Sequence, residues 1–142
     1  MIKEFQKENR WLSNFWLVDV EFDGHIFMSV ENAYQFAKAE SDKDKQTMLS
    51  AYNPVDARRL GRRIKVREDW EDVKLIIMKS LVRQKFILNT DLRNKLISTG
   101  IEEIQEGNTW GDKFWGVDLH SGVGENRLGK IIMDIRKEIK DY

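Results

Sequence analysis

Glu31, Gln35 and Lys38 stand four and three residues apart, so in a helix a carboxylate, an amide and an ammonium share one face. Such a stripe is either a solvated surface or the lining of a polar pocket, where a carboxylate can serve as a general base. A second acid, Asp112, lies within residues 107–116, among Trp110, Phe114, Trp115 and three glycines including Gly116. Glycine lets backbone approach a ligand closely, but an aspartate there can equally cap an aromatic-rich turn. Ser13 and Asn14 sit between Trp11, Phe15 and Trp16, as a loop packed on the core or as a stacking platform with a polar pair. Arg58, Arg59, Arg62, Arg63, Lys65 and Arg67 form the most basic stretch, a solvated face or a phosphate site using one or two arginines. Gly122, Gly124 and Asn126 open the last helix, an anion-binding arrangement that is weak alone. No convincing strand precedes them in a βαβ unit, which excludes a Rossmann reading.

The elements that must hold these residues are legible in outline. Ser29 is a good N-cap for a helix carrying Val30, Ala33, Tyr34 and Ala37, with Glu31 in the first turn where the helix dipole favours a carboxylate. Residues 17–22 and 25–28 flank Asp23-Gly24, a strong hairpin signal that delivers the chain to Ser29. Residues 2–6 read as a short strand and residues 41–46 as a loop or helix start. Asn53 and Pro54 are cap and first residue of a helix ending near Gly61. Residues 68–88 are the longest helix, its apolar side marked by Trp70, Val73, Ile76, Ile77, Met78, Leu81 and Phe86. Trp70 in its first turn is either core or pocket rim. Thr90 caps a shorter helix stopping at Gly100, and residues 101–105 read as a strand. Leu128, Ile131, Ile132, Ile135 and Ile139 form the stripe of the last helix.

Hairpins and helices come in blocks, which predicts an α+β fold: a single compact, mainly helical domain over residues 1–142 with a small antiparallel sheet. The 142 residues carry 24 basic and 24 acidic side chains, so no global field draws the chain to nucleic acid or membrane. With no cysteine there is neither a disulfide framework nor a thiolate metal site, and two histidines supply no metal-binding spacing. No 18-residue apolar run and no signal peptide is visible, so the expected location is the cytoplasm.

Taken in register, several stretches resemble the NADAR, or YbiA-like, family. They are residues 12–15 (Leu-Ser-Asn-Phe), 29–38 (Ser-Val-Glu-Asn-Ala-Tyr-Gln-Phe-Ala-Lys) and 59–62 (Arg-Leu-Gly-Arg). Trp70 with Val73-Lys74, Met78 and Lys85-Phe86 follow, then residues 112–116 (Asp-Lys-Phe-Trp-Gly) and 122–130 through Met133 and Arg136. The resemblance implies N-glycosidase chemistry: hydrolysis of the N-glycosidic bond of ribosylated substrates, either ADP-ribose on guanine of DNA or a nucleotide, or riboflavin-pathway ribosylaminopyrimidine phosphates. By motif it puts catalysis on Glu31, Asp112 and Trp70. It puts substrate contacts on Ser13, Asn14, Phe15, Tyr34, Gln35, Lys38, Arg62, Trp115, Gly116, Gly122, Gly124 and Asn126. It implies no metal, no cofactor and no membrane partner.

That chemistry suits the residues. N-glycosidic cleavage develops positive charge at the anomeric carbon, which a carboxylate stabilises while another activates water. Glu31 is the expected base, Asp112 the support for the ribose or the cation, and Trp70 the stacking face. Lys38, one arginine and the loop from Gly122 to Asn126 would meet phosphate; Asn14 and Asn126 would meet ribose hydroxyls. The competing readings are a non-catalytic module that senses NAD or ADP-ribose and a nucleic-acid-binding domain using residues 58–67.

Overall fold

The computed structural model describes residues 1–140, which divide into two compact units: Asn14–Lys85, and Met1–Ser13 together with the chain from Phe86 onward.

The unit Asn14–Lys85 opens on a hairpin of β2 (Val20–Phe22) and β3 (His25–Phe27), antiparallel with Phe22 opposite His25. Asp23 and Gly24 both take positive φ, 51° and 79°, the geometry of the tight turn expected there. The hairpin leads into α1 (Val30–Ala37), where the Ser29 hydroxyl accepts from the Asn32 amide. α2 (Asp42–Leu49), capped by Ser41, resolves the charged stretch as a helix. α3 (Pro54–Gly61) begins as read, with the Asn53 side chain accepting from the Asp56 amide. Each such cap is worth about 1 kcal/mol. Every residue of α1 is buried, and α2, α3 and the hairpin pack on it. Phe36 meets Phe27 and His25 with ring centroids 5.0 and 5.4 Å apart. α4 (Trp70–Ile87) buries Trp70, Met78, Leu81 and Val82. Ile76 corrects the reading: it is 71% exposed. Leu75 to Met78 are apolar all round the helix, so sequence period cannot choose a face there.

The other unit is built on a three-stranded parallel sheet, in the order β1-β4-β5, of β1 (Ile2–Glu4), β4 (Ile104–Asn108) and β5 (Val117–Asp118). It stands beside the expected antiparallel pair as an addition, because its partners are distant in sequence and too short to show alternation. A 3-10 helix, Lys7–Leu12, follows β1. α5 (Thr90–Ser98) starts one residue earlier than read: Asn89 is the cap position, and Thr90 lies inside the helix. The predicted strand shifts too. Glu102 N–H returns to the Thr99 carbonyl, Ile101 is 94% exposed, and pairing begins at Ile104. α6 (Arg127–Lys140) buries the whole stripe of Leu128, Ile131, Ile132, Ile135 and Ile139 against β4 and α5. Each of these side chains contributes about 1.5–3 kcal/mol before chain entropy is set against it.

Candidate active site

The polar stripe of α1 is inside the protein. Glu31 and Gln35 are each 7% exposed, which removes the solvated-surface reading. Glu31 is the second residue after the Ser29 cap, and its N–H donates to the Asn14 carbonyl at 3.0 Å, so Asn14 is held at the start of the helix. A helix start with a buried carboxylate is electrostatically consistent, because the dipole's positive end favours the ionised form. Gln35 Nε2 donates to Glu31 Oε1 at 2.9 Å. Lys38 Nζ donates to Gln35 Oε1 at 2.9 Å and to the Gly61 carbonyl at 3.2 Å. Burial pulls the Lys38 pKa below its ordinary value; Glu31 pushes it back up, and Arg62, just past α3, pushes it down.

Next to this chain lies an aromatic pair. Tyr34 on α1 and Trp70 at the start of α4 are tilted rings 5.0 Å apart, and Trp70 is 7% exposed. Asn14 Nδ2 reaches the Met78 sulfur at 3.5 Å, and the Arg58 guanidinium lies 5.6 Å from the Phe15 ring centroid. The basic run separates into two kinds of residue. Arg59 pairs with Asp56, Lys65 with Glu40 and Arg67 with Asp69, a solvated face of exposed ion pairs. Arg62 and Arg63 are exposed and, among the described residues, within ion-pair distance of no carboxylate. Arg62 and Arg63 are therefore the arginines of the run that retain the phosphate reading, and Arg62 is the one whose charge is felt at Lys38.

The second group of sequence-read residues belongs to the other unit, in the turn joining β4, β5 and α6. Asn108, 2% exposed, clamps it: Nδ2 donates to the Asp112 carbonyl at 2.9 Å and to Glu106 Oε2 at 3.0 Å, while Oδ1 accepts from the Asp112 amide at 3.0 Å. Asp112 Oδ1 in turn accepts from the Phe114 and Trp115 amides at 3.0 and 2.9 Å. That is the capping role left open by sequence. Oδ2 has no hydrogen-bond partner among the described residues, so Asp112 keeps one oxygen for other work. Trp115 stacks edge-on against Phe114 at 4.8 Å. Gly116 is demanded by packing: a Cβ there would overlap Glu106 and stand 2.7 Å from Asn108 Nδ2.

The phosphate cradle expected from Gly122 to Asn126 requires correction. The amides of Glu125, Asn126, Arg127 and Leu128 donate to the carbonyls of Lys113, Gly116, Phe114 and Trp115, so the start of α6 is a closed clasp. Gly122 N–H returns to the Asp118 carbonyl, and Gly124 presses on the Gly116 carbonyl. Asn126 corrects in the same way. Its Oδ1 accepts from the Glu106 amide and its Nδ2 donates to the Ile104 carbonyl, both at 2.9 Å, so it ties α6 to β4 and is not poised for a ribose hydroxyl. Ser13 ends the 3-10 helix, with its N–H on the Arg10 carbonyl.

Sequence reasoning missed Asn108, whose i,i+4 spacing to Asp112 was the available signal. It also missed Gly61 as a packing partner of Gln35, and it named Lys85 only as part of a motif; Lys85 is fully buried, with its pKa lowered by burial to about 7. No group of three or more potential metal ligands occurs among the described residues, and no helix is long and apolar enough to cross a membrane.

Comparison with known proteins identifies the family and the fold. The chain is 33% identical over 141 residues to the riboflavin biosynthesis protein VVA0006 of Vibrio vulnificus; the match takes in 98% of the chain but 38% of that longer relative. It is 33% identical to the N-glycosidase YbiA of Escherichia coli over 89% of the chain and 79% of YbiA. The NMR structure of E. coli YbiA superimposes with a TM-score of 0.85 at 28% identity, covering 99% of this chain and 88% of that one, and shares the α+β fold. The family model described as the NADAR domain matches residues 2–140, and the chain is a member of the NADAR family.

Proposed function

We propose that the protein hydrolyses the N-glycosidic bond of a ribosylated substrate. The observation that carries this reading is a buried carboxylate, Glu31, hydrogen-bonded by Gln35 beside the Tyr34–Trp70 pair. The names of the relatives, an N-glycosidase and a riboflavin biosynthesis protein, support the same bond class. In the reaction, water oxygen bonds to the anomeric carbon, the C–N bond breaks with its electron pair on the departing nitrogen, and that nitrogen gains a proton. Glu31 takes the proton from water as the ribose acquires oxocarbenium character. The resemblance gives Asp112 as the second acid, and its free oxygen is the group that such a role would use. Trp70 presents an aromatic face to the base or the cation. Arg62 is the phosphate partner, and Asn14 and Phe15 are further substrate contacts.

The substrate is ADP-ribose on guanine, in DNA or a nucleotide, or a ribosylaminopyrimidine phosphate of riboflavin synthesis. Both substrates tested side by side decide between them. Release of ADP-ribose from DNA identifies a guanine-directed glycohydrolase; cleavage of only the pyrimidine identifies a metabolite N-glycosidase. Tight ADP-ribose binding with neither bond broken would replace the enzyme with a sensor.

A further inference from the structure

Gln35 is buried between an anion and a cation on its own helix, and its amide can face either way. In the observed orientation Nε2–H meets Glu31 Oε1 and Oε1 meets the Lys38 ammonium, both at 2.9 Å. Turning the amide over would set oxygen against carboxylate and N–H against ammonium, two mismatched contacts in a buried place. The ammonium therefore selects which end of the amide Glu31 sees. Gly61 makes room for the arrangement: a Cβ at that position would overlap Gln35 Oε1 and stand 2.7 Å from its Cδ. The same residue's carbonyl takes a second Lys38 proton. Glycine at a helix end is commonly a cap requirement. At Gly61 the close approach of Gln35 is the reason.

We propose that Lys38, Gln35 and Gly61 are a positioning relay for Glu31, in which the ammonium orients the amide, the amide holds Oε1 of an ionised carboxylate, and Gly61 leaves the slot that the amide fills. The proposal rests on the N-glycosidase reading only for what Glu31 does once it is held. It differs from the phosphate-ligand role of Lys38, because two of the three Nζ protons are engaged within the protein. The two roles separate kinetically. A phosphate ligand contributes binding felt equally before and during reaction, so its loss raises KM; a positioning residue acts through Glu31, so its loss lowers kcat.

The test uses Gln35→Met, close in size but unable to donate, with Lys38→Met beside it. Steady-state kinetics are paired with titration of the Glu31 side-chain carboxyl carbon by NMR. Loss of positioning is expected to lower kcat on the order of tenfold or more in both variants, with KM within about twofold of wild type. Gln35→Met, with the Lys38 charge still present, is expected to move the Glu31 titration to higher pH than in wild type. An unchanged kcat, a rise in KM alone for Lys38→Met, or a Glu31 titration that coincides with wild type overturns the relay. If wild type cleaves no ribosylated substrate, the N-glycosidase reading fails and the titration alone decides the relay, upward displacement supporting it and coincidence refuting it. Should Gln35→Met not fold, Lys38→Met decides alone: a fall in kcat at unchanged KM supports the relay, and a rise in KM alone or an unchanged kcat overturns it.

Discussion

The α1 cluster and the turn over residues 106–128 both gather sequence-read site residues, yet they are held by different physics. In α1, charged and polar side chains bond one another inside the protein, Lys38 to Gln35 to Glu31. In the turn, side chains bond backbone: Asn108 to Asp112, Asp112 to Phe114 and Trp115, Asn126 to Ile104 and Glu106. Buried charges bonded to one another are costly to arrange and available for proton chemistry. Side chains that satisfy backbone groups fix loop shape and leave little capacity for a ligand. On the proposed function the difference separates chemistry from framework, and Asp112, which caps the turn through one oxygen, is the residue of the turn with an oxygen to spare.

The largest expected effect concerns the cost of buried charge. Lys85 is buried with a folded pKa near 7 against an ordinary 10.5, so between those values the unfolded chain binds more protons than the folded one. Stability is therefore expected to rise with pH across that window, by up to about 1.4 kcal/mol per pH unit, and to fall back as pH drops toward 7. Denaturant melts from pH 7 to 10 should show this slope in wild type and lose it in Lys85→Met; an equal slope in both would mean that Lys85 is not the source.

Trp70→Ala is next. Deleting a buried tryptophan costs about 3–5 kcal/mol, and the loss of its face should lower turnover as well. Trp70→Phe separates the two, with most stability regained. If the turnover of folded protein is then wild type in both, Trp70 is core and nothing more.

Asn126→Ala removes two hydrogen bonds to β4 and is expected to cost about 2–3 kcal/mol, read as a lower denaturation midpoint. The folded protein should turn over at the wild-type rate with the same KM. A raised KM at unchanged stability would restore Asn126 to the ribose and undo the contrast drawn between the two regions.

Asp112 gives the smallest structural effect and the most pointed comparison. Asp112→Asn retains an oxygen able to accept from Phe114 and Trp115, so its stability should lie within about 1 kcal/mol of wild type. If Asp112 serves the proposed reaction as its second acid, loss of the charge should still slow it on the order of tenfold or more. A normal rate in Asp112→Asn would leave Asp112 with capping alone.

How much of this was legible depended on the range of the physics. The hairpin was readable because Asp23 and Gly24 announce a local backbone geometry, and α1 and α3 because Ser29 and Asn53 cap their own helices. The α6 stripe was readable because burial follows its period. The parallel sheet was not: Ile2 pairs with Ile104, and β5 has two residues, too few for any pattern. The Glu31 stripe could be seen on one face, but sequence spacing does not say whether that face meets water. Gly61 read as a helix terminator because its partner, Gln35, comes from another helix. The Gly122–Asn126 segment read as an anion cradle because a glycine loop before a helix looks the same whether its amides are open or occupied by the carbonyls of residues 113–116.

Whether Glu31 is the base of an N-glycosidic hydrolysis is decided by single-turnover cleavage and equilibrium binding of one ribosylated substrate by wild type and Glu31→Gln. The variant is expected to bind within a few-fold of wild type while its chemical step slows on the order of a hundredfold or more. A chemical step at the wild-type rate would contradict that role.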